Sequence, residues 1–212
     1  MRTHKTSLFA AIALIAVSAS TAGAAVIVYL DQDIPIPTTY AGVSVNLETG
    51  AFSDVLAGVS GGDMNFVFGG AGFSNDADQT VLVPTWQPVR AGTGNTDVLV
   101  NLGINTTVGP SSVVSSDYGG STGHFTTSLP VPAAPFTSGQ KGYIGFSVVL
   151  DDTTVAYGWA EVTLQNDNMP GVIHSWAYED TGQDIRVLEI PEPSLPVLTT
   201  LGLALLALRR RR

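Results

Sequence analysis

Cysteine is absent from all 212 residues, which removes disulfides, thiol nucleophiles and Cys-based zinc sites together. Basic residues are scarce, nine Lys and Arg against 18 Asp and Glu, and six of the nine sit near the termini as Arg2, Lys5 and Arg209 to Arg212. Between those ends only Arg90, Lys141 and Arg186 face the 18 acids, a net of −15. A surface of that sign repels nucleic acid and anionic lipid headgroups, which excludes both as partners of the body. Two further features are missing. No apolar run reaches the ~18 residues of an ordinary membrane helix, and no stretch of the interior repeats its apolar residues with helical period.

What is there begins at the ends. Arg2 and Lys5 precede an apolar segment from Leu8 to Val17, and Ala22-Gly23-Ala24 follows with small residues at both flanking positions. These are the three parts of a secretory signal peptide, with Ala22 and Ala24 at the cleavage site and the mature chain starting at Ala25. At the other end, Pro191-Glu192-Pro193-Ser194 leads into an apolar run of 14 residues, Leu195 to Leu208, closed by Arg209, Arg210, Arg211 and Arg212. Four guanidinium groups resist translocation, so such a run halts in a membrane with the arginines on the cytoplasmic side. As a helix it covers about 21 Å of a hydrocarbon core of about 30 Å. Pro196 and Gly202 weaken it further, which favours a held, processable tail over a permanent span.

The order Pro191-Glu192-Pro193, apolar stretch, terminal arginine cluster resembles the PEP-CTERM sorting signal, a tail also labelled an ice-binding protein C-terminal domain. The resemblance covers about a tenth of the chain. It implies recognition by an exosortase-type membrane protease in a Gram-negative bacterium that makes extracellular polysaccharide, with the tail removed or exchanged near Pro-Glu-Pro. Signal peptidase and that protease are the expected processing partners, and the cell envelope, cell surface or extracellular matrix the expected location. Upstream, Gly142-Tyr143-Ile144-Gly145-Phe146, Tyr157-Gly158-Trp159 and Trp176-Ala177-Tyr178-Glu179 resemble a pattern found just before the sorting tail in many PEP-CTERM proteins.

The body, Ala25 to Ile190, is long enough to bury a core without disulfides. Runs rich in Val, Ile, Phe and Tyr recur at Ala25 to Leu30, Tyr40 to Leu47, Met64 to Phe68, Asp97 to Leu102, Tyr143 to Leu150, Val155 to Gln165 and Gly171 to Glu179, separated by Gly, Pro, Asn, Asp and Ser. This spacing predicts an all-β, antiparallel β-sandwich or jelly-roll-like single domain. Period-two alternation puts Ile144, Phe146, Val148 and Leu150 on one inward face. Asn166-Asp167-Asn168-Met169-Pro170 predicts a hairpin between the last two runs. Tyr157, Trp159, His174, Trp176 and Tyr178 are then expected to form one cross-strand aromatic ladder. Gly119-Gly120-Ser121-Thr122-Gly123 reads as a flexible turn, and Pro130, Pro132 and Pro135 as an extended connection.

Candidate chemistry is thin. Ser121 sits in a G-x-S-x-G pattern with His124 following, but the nucleophile elbow needs a strand before and a helix after, and the surrounding sequence favours a loop. His174 has the chemistry of a base or metal ligand, and of a packed imidazole. Glu161 and Glu179, on neighbouring strands, are the pair a glycosidase would use, if held about 5–9.5 Å apart; solvated outer-face glutamates explain both without chemistry, and that is the preferred reading. Asp31 and Asp33, Asn75, Asp76 and Asp78, Asp151 and Asp152, and Asn166, Asp167 and Asn168 could supply oxygen ligands to calcium, while Asx turns account for such residues without a metal. No other cofactor is implied. The expectation is a non-catalytic surface or matrix protein contacting polysaccharide or other proteins, with a carbohydrate-active hydrolase as the alternative. Tightly buried Trp159 and Trp176 would favour the first, an aromatic groove with paired carboxylates the second.

Overall fold

A computed structural model describes residues 25–54, 62–74, 85–91, 99–112, 114, 119–121, 136–165 and 168–188. The leader with Ala22 and Ala24, the Pro191-Glu192-Pro193 motif, Arg209 to Arg212, the Asn75 to Asp78 cluster, His124, the three prolines of the connection, Asn166 and Asp167 lie outside the described residues.

The protein is all-β and every named strand pairing is antiparallel. A six-stranded sheet contains Val26–Tyr29 (β1), Ile34–Ile36 (β2), Trp86–Pro88 (β7), Lys141–Val149 (β10), Val155–Thr163 (β11) and Gly171–Glu179 (β12). Its order is β1-β12-β11-β10-β7, with β2 continuing along the same edge of β12 as β1. A five-stranded sheet runs Phe52–Ser53 (β4), Val43–Val45 (β3), Met64–Val67 (β5), Gly72–Ser74 (β6), Gly119–Ser121 (β9). Thr107–Val108 (β8) and Ile185–Arg186 (β13) form a separate pair.

Alternation decides the core. Ile144, Phe146, Val148 and Leu150 share one face as expected, none more than 8% exposed. They join Ala160, Val162, Ile173 and Trp176 from the same sheet and Val45, Met64, Phe66 and Phe73 from the five-stranded sheet in one apolar cluster. Trp86 binds the cluster together, its ring 6.1 Å from Phe66, 5.9 Å from Phe73 and 6.2 Å from Phe146. The opposite face of the large sheet is also covered, because Trp159 and Ala177 pack with Val108, Ile185 and Val187 of the β8 and β13 region. Burial on both faces explains why β10 to β12 read as nearly continuous apolar runs.

The single aromatic ladder is not what forms. The β11–β12 hairpin does form, but its register sets Trp159 opposite Ala177, Trp176 opposite Ala160 and Tyr178 opposite Gly158. Residues directly opposite share a face, so Tyr157 and Trp159 lie on one side of the sheet and Trp176 and Tyr178 on the other. Trp159, Trp176 and Tyr178 thereby each face a small partner, which lets the facing layers interdigitate, while Tyr157 faces Glu179. Gly158 shows how tight this is: a β-carbon there would lie 2.4 Å from the Phe146 ring and 2.5 Å from the Ala177 carbonyl oxygen.

Other expectations are corrected too. Gly119–Ser121, read as a flexible turn, is a strand paired with β6. The run from Tyr40 contracts to Val43–Val45, because Gly42 donates to the Thr39 carbonyl and closes a turn first. In the Asp97 to Leu102 run the described residues make an isolated Leu99–Arg90 bridge and single hydrogen bonds instead of a strand. β2 went unread because its sequence is Ile-Pro-Ile; proline is tolerated there as the strand is at the sheet edge.

Candidate functional site

The side chains with recognisable chemistry gather on the outer face of the large sheet, near the end where β10 begins, β11 ends and β12 begins. Cross-strand register puts Lys141 opposite Thr163, and Tyr143 opposite Glu161. On the next strand Glu161 faces Ser175, but Val162 already faces Ile173, so β12 holds one extra residue there. That residue is His174. A β-bulge re-aims the side chain it carries, and the imidazole reaches β11 on one side and the segment between β1 and β2 on the other.

Its Nε2 lies 2.9 Å from the Thr163 hydroxyl and its Nδ1 2.6 Å from the Asp33 carboxylate. Asp33 comes from the four residues between β1 and β2, where the edge accommodates the bulge. Gln32 donates its amide to the His174 carbonyl, and the Asp31 amide donates to the Ser175 hydroxyl. Asp31 and Asp33 reach these places with φ of 53° and 44°, a conformation that aspartate tolerates better than most residues.

Threonine, histidine and aspartate in that order are the constituents of an activated nucleophile, but the third requirement fails. Thr163 is in register with Lys141 on one side and Val172 on the other, so nearby amides point along the sheet into the ladders. Among the described residues, the amides of these paired strands are committed to the ladders rather than to an oxyanion above the hydroxyl. The arrangement acts as a latch that ties the edge segment to the sheet.

The proposed acid pair is not brought together. Glu161 and Glu179 share the outer face, yet Glu179 lies four residues along β12 from Ser175, the partner of Glu161. At the strand rise this is about 13 Å, beyond the range of either glycosidase mechanism. Both carboxylates are also occupied. Glu161 accepts from Lys141 Nζ at 3.0 Å and from the Tyr143 hydroxyl at 3.2 Å. Burial, and then the Glu161 charge, push the Tyr143 pKa up. Glu179 is 2% exposed and accepts from the Thr181 amide and hydroxyl and from the Gln183 amide, closing the turn that follows β12.

Trp159 and Trp176 are both fully buried. Trp176 donates to the Leu47 carbonyl at 3.1 Å and stacks on Tyr29 at 4.7 Å. Ser121 lies in β9, in register with Gly72. Of the acidic clusters, Asp152 accepts from the Thr154 amide at 2.9 Å, an Asx-type turn whose hydrogen bonds hold its carboxyl below the usual range. The Asp151 amide donates to Glu48. Among the described residues no group of three or more His, Asp or Glu side chains could hold a metal ion.

Two features escaped the sequence reading. Asp63 is buried against the Leu47 amide, and loss of solvation pushes its pKa up to about 6, with Glu48 and Asp151 adding to the rise. Tyr40 and Phe68 form an exposed aromatic pair with ring centres 6.0 Å apart. Neither sits in a motif; chain folding alone brings their surroundings together.

No family model, curated protein or solved structure matches this chain.

Proposed function

We propose that the protein is an exported component of the bacterial cell surface or extracellular matrix, delivered by its signal peptide and processed through a PEP-CTERM-type tail at Pro191-Glu192-Pro193. Its body is a single β-sandwich or jelly-roll-like domain that works by contact with polysaccharide rather than by catalysis. The observation that carries the non-catalytic half is the fate of the best candidate groups: Trp159 and Trp176 are consumed by the core, and Glu161 and Glu179 sit at separate positions with their oxygens engaged. The sorting half is supported by the two terminal segments, whose charges and apolar runs complement each other as export and retention signals.

The test replaces Pro191 and Pro193 by alanine in the native host and follows the chain through cytoplasmic, membrane and extracellular fractions. Sorting through this motif predicts that the variant accumulates in the membrane with its tail attached. Release indistinguishable from the parent refutes a role for the motif. In parallel, Glu161→Gln is expected to leave any polysaccharide-degrading activity of the purified protein unchanged, whereas its loss would restore the hydrolase alternative.

A further inference from the structure

Among the described residues, two exposed aromatic rings lie side by side. Tyr40 is 59% exposed and Phe68 38% exposed, and the rings tilt toward each other at 43°. Phe68 opens the 3-10 turn Phe68–Gly70, in which three consecutive residues have φ of 54°, 67° and 98°. Gly69 and Gly70 take that conformation freely; a phenylalanine does so against the clash of its own β-carbon. A bulky residue is thus held in a left-handed conformation with its ring partly in water, where glycine would serve the turn better. Strain of this kind concentrates at functional sites.

The surrounding backbone ties together the two turns that carry the rings. The Thr39 carbonyl accepts from Gly42, closing the turn that carries Tyr40, and from Phe68, tying the two turns together. Gly69 donates to the Pro37 carbonyl at 2.8 Å and accepts from the Gln165 amide at 2.8 Å. The backbone beneath the rings is therefore organised before any ligand arrives, which lowers the entropy cost of binding.

We propose that Tyr40 and Phe68 form a stacking site for a neutral polysaccharide; this rests on the surface-protein reading above. The negative ring face suits the weakly positive C–H hydrogens on a pyranose face, and one aromatic ring covers about one sugar. Exposed Thr39 adds a hydroxyl on the same turn. A stable protein partner requires about 800 Å² from each side, more than two partly exposed rings supply. A body of net charge −15 between its terminal cations disfavours polyanions.

The test uses the full exported chain with cellohexaose and maltohexaose as neutral probes and an alginate oligomer as the polyanion, read by calorimetry at low and high salt. The expected result is weak, salt-insensitive binding of a neutral hexasaccharide and less of alginate. Tyr40→Ala and Phe68→Gly should each weaken it by about three- to tenfold. Phe68→Gly also removes the strained β-carbon, so its melting temperature should equal or exceed the parent's while binding falls. Absence of binding to both neutral probes, preference for alginate, unchanged binding in both variants, or a lower melting temperature in Phe68→Gly overturns the proposal. Protease accessibility on intact host cells is measured separately. A surface-exposed protein without glycan binding defeats the platform alone, and a glycan-binding protein confined to the cytosol defeats the surface reading alone.

Discussion

Replacing Asp63 by asparagine isolates a single buried ionisation. Asp63 is 6% exposed, its Oδ2 accepts from the Leu47 amide at 3.0 Å, and its pKa rises from 3.8 to about 6 chiefly because burial disfavours the charged form. A folded-state pKa above the unfolded value means that this group favours folding most at low pH. The contribution is complete below about pH 4 and disappears as pH rises through about 6. The shift of roughly two units corresponds to about 3 kcal/mol at most. Asparagine keeps an oxygen for Leu47 and cannot ionise, so Asp63→Asn should be more stable than the parent at pH 7.5, by up to about 3 kcal/mol, with the difference shrinking toward zero at pH 4. Urea denaturation of both proteins at the two pH values measures it, and taking the difference cancels the other carboxylates. A gap that is equal at both pH values, or that widens toward acid, refutes the reasoning.

Three further substitutions probe other parts of the fold. Gly158→Ala forces a β-carbon into the Phe146 ring and the Ala177 carbonyl, and overpacking of this sort should cost about 1–3 kcal/mol in urea denaturation; a neutral result would mean that the hairpin register is wrong. Glu179→Gln removes the charge that holds the Thr181 and Gln183 amides, and about 1–3 kcal/mol of stability should go with it, whereas a fully exposed glutamate would show no loss. His174→Ala unties Asp33 and Thr163; amide exchange should accelerate at Asp31 to Asp33 while β10 stays protected, and an unchanged edge would show that backbone bonds alone hold it.

The long strands are readable from their length and their richness in Val, Ile, Phe and Tyr: in the first of them Ile144, Phe146, Val148 and Leu150 turn inward as their spacing requires, and Gly171–Glu179 is a strand over its whole expected length. The failures have common causes. Which face Trp159 and Trp176 occupy depends on the register between β11 and β12, and that is set by tertiary packing of ring against alanine. β2, β7 and β9 are short edge or glycine-rich strands whose own residues carry little β-signal; they form because a longer neighbour offers hydrogen bonds. The candidate site was partly legible. Glu161, His174 and Asp33 were singled out as residues, but the bulge that aims His174 at both Thr163 and Asp33 comes from an extra residue counted only across strands. The burial of Asp63 and the exposure of Phe68 have no sequence signature, since Gly-Asp-Met and Phe-Gly-Gly occur in turns of every kind.

Intact-mass and terminal-peptide mass spectrometry of the protein purified from its native host tests the central claim most directly. Export and sorting predict a chain that begins at Ala25 and ends near Pro191, with the arginine cluster gone. A cytosolic chain that still carries residues 1–24 and terminates at Arg212 would contradict the account.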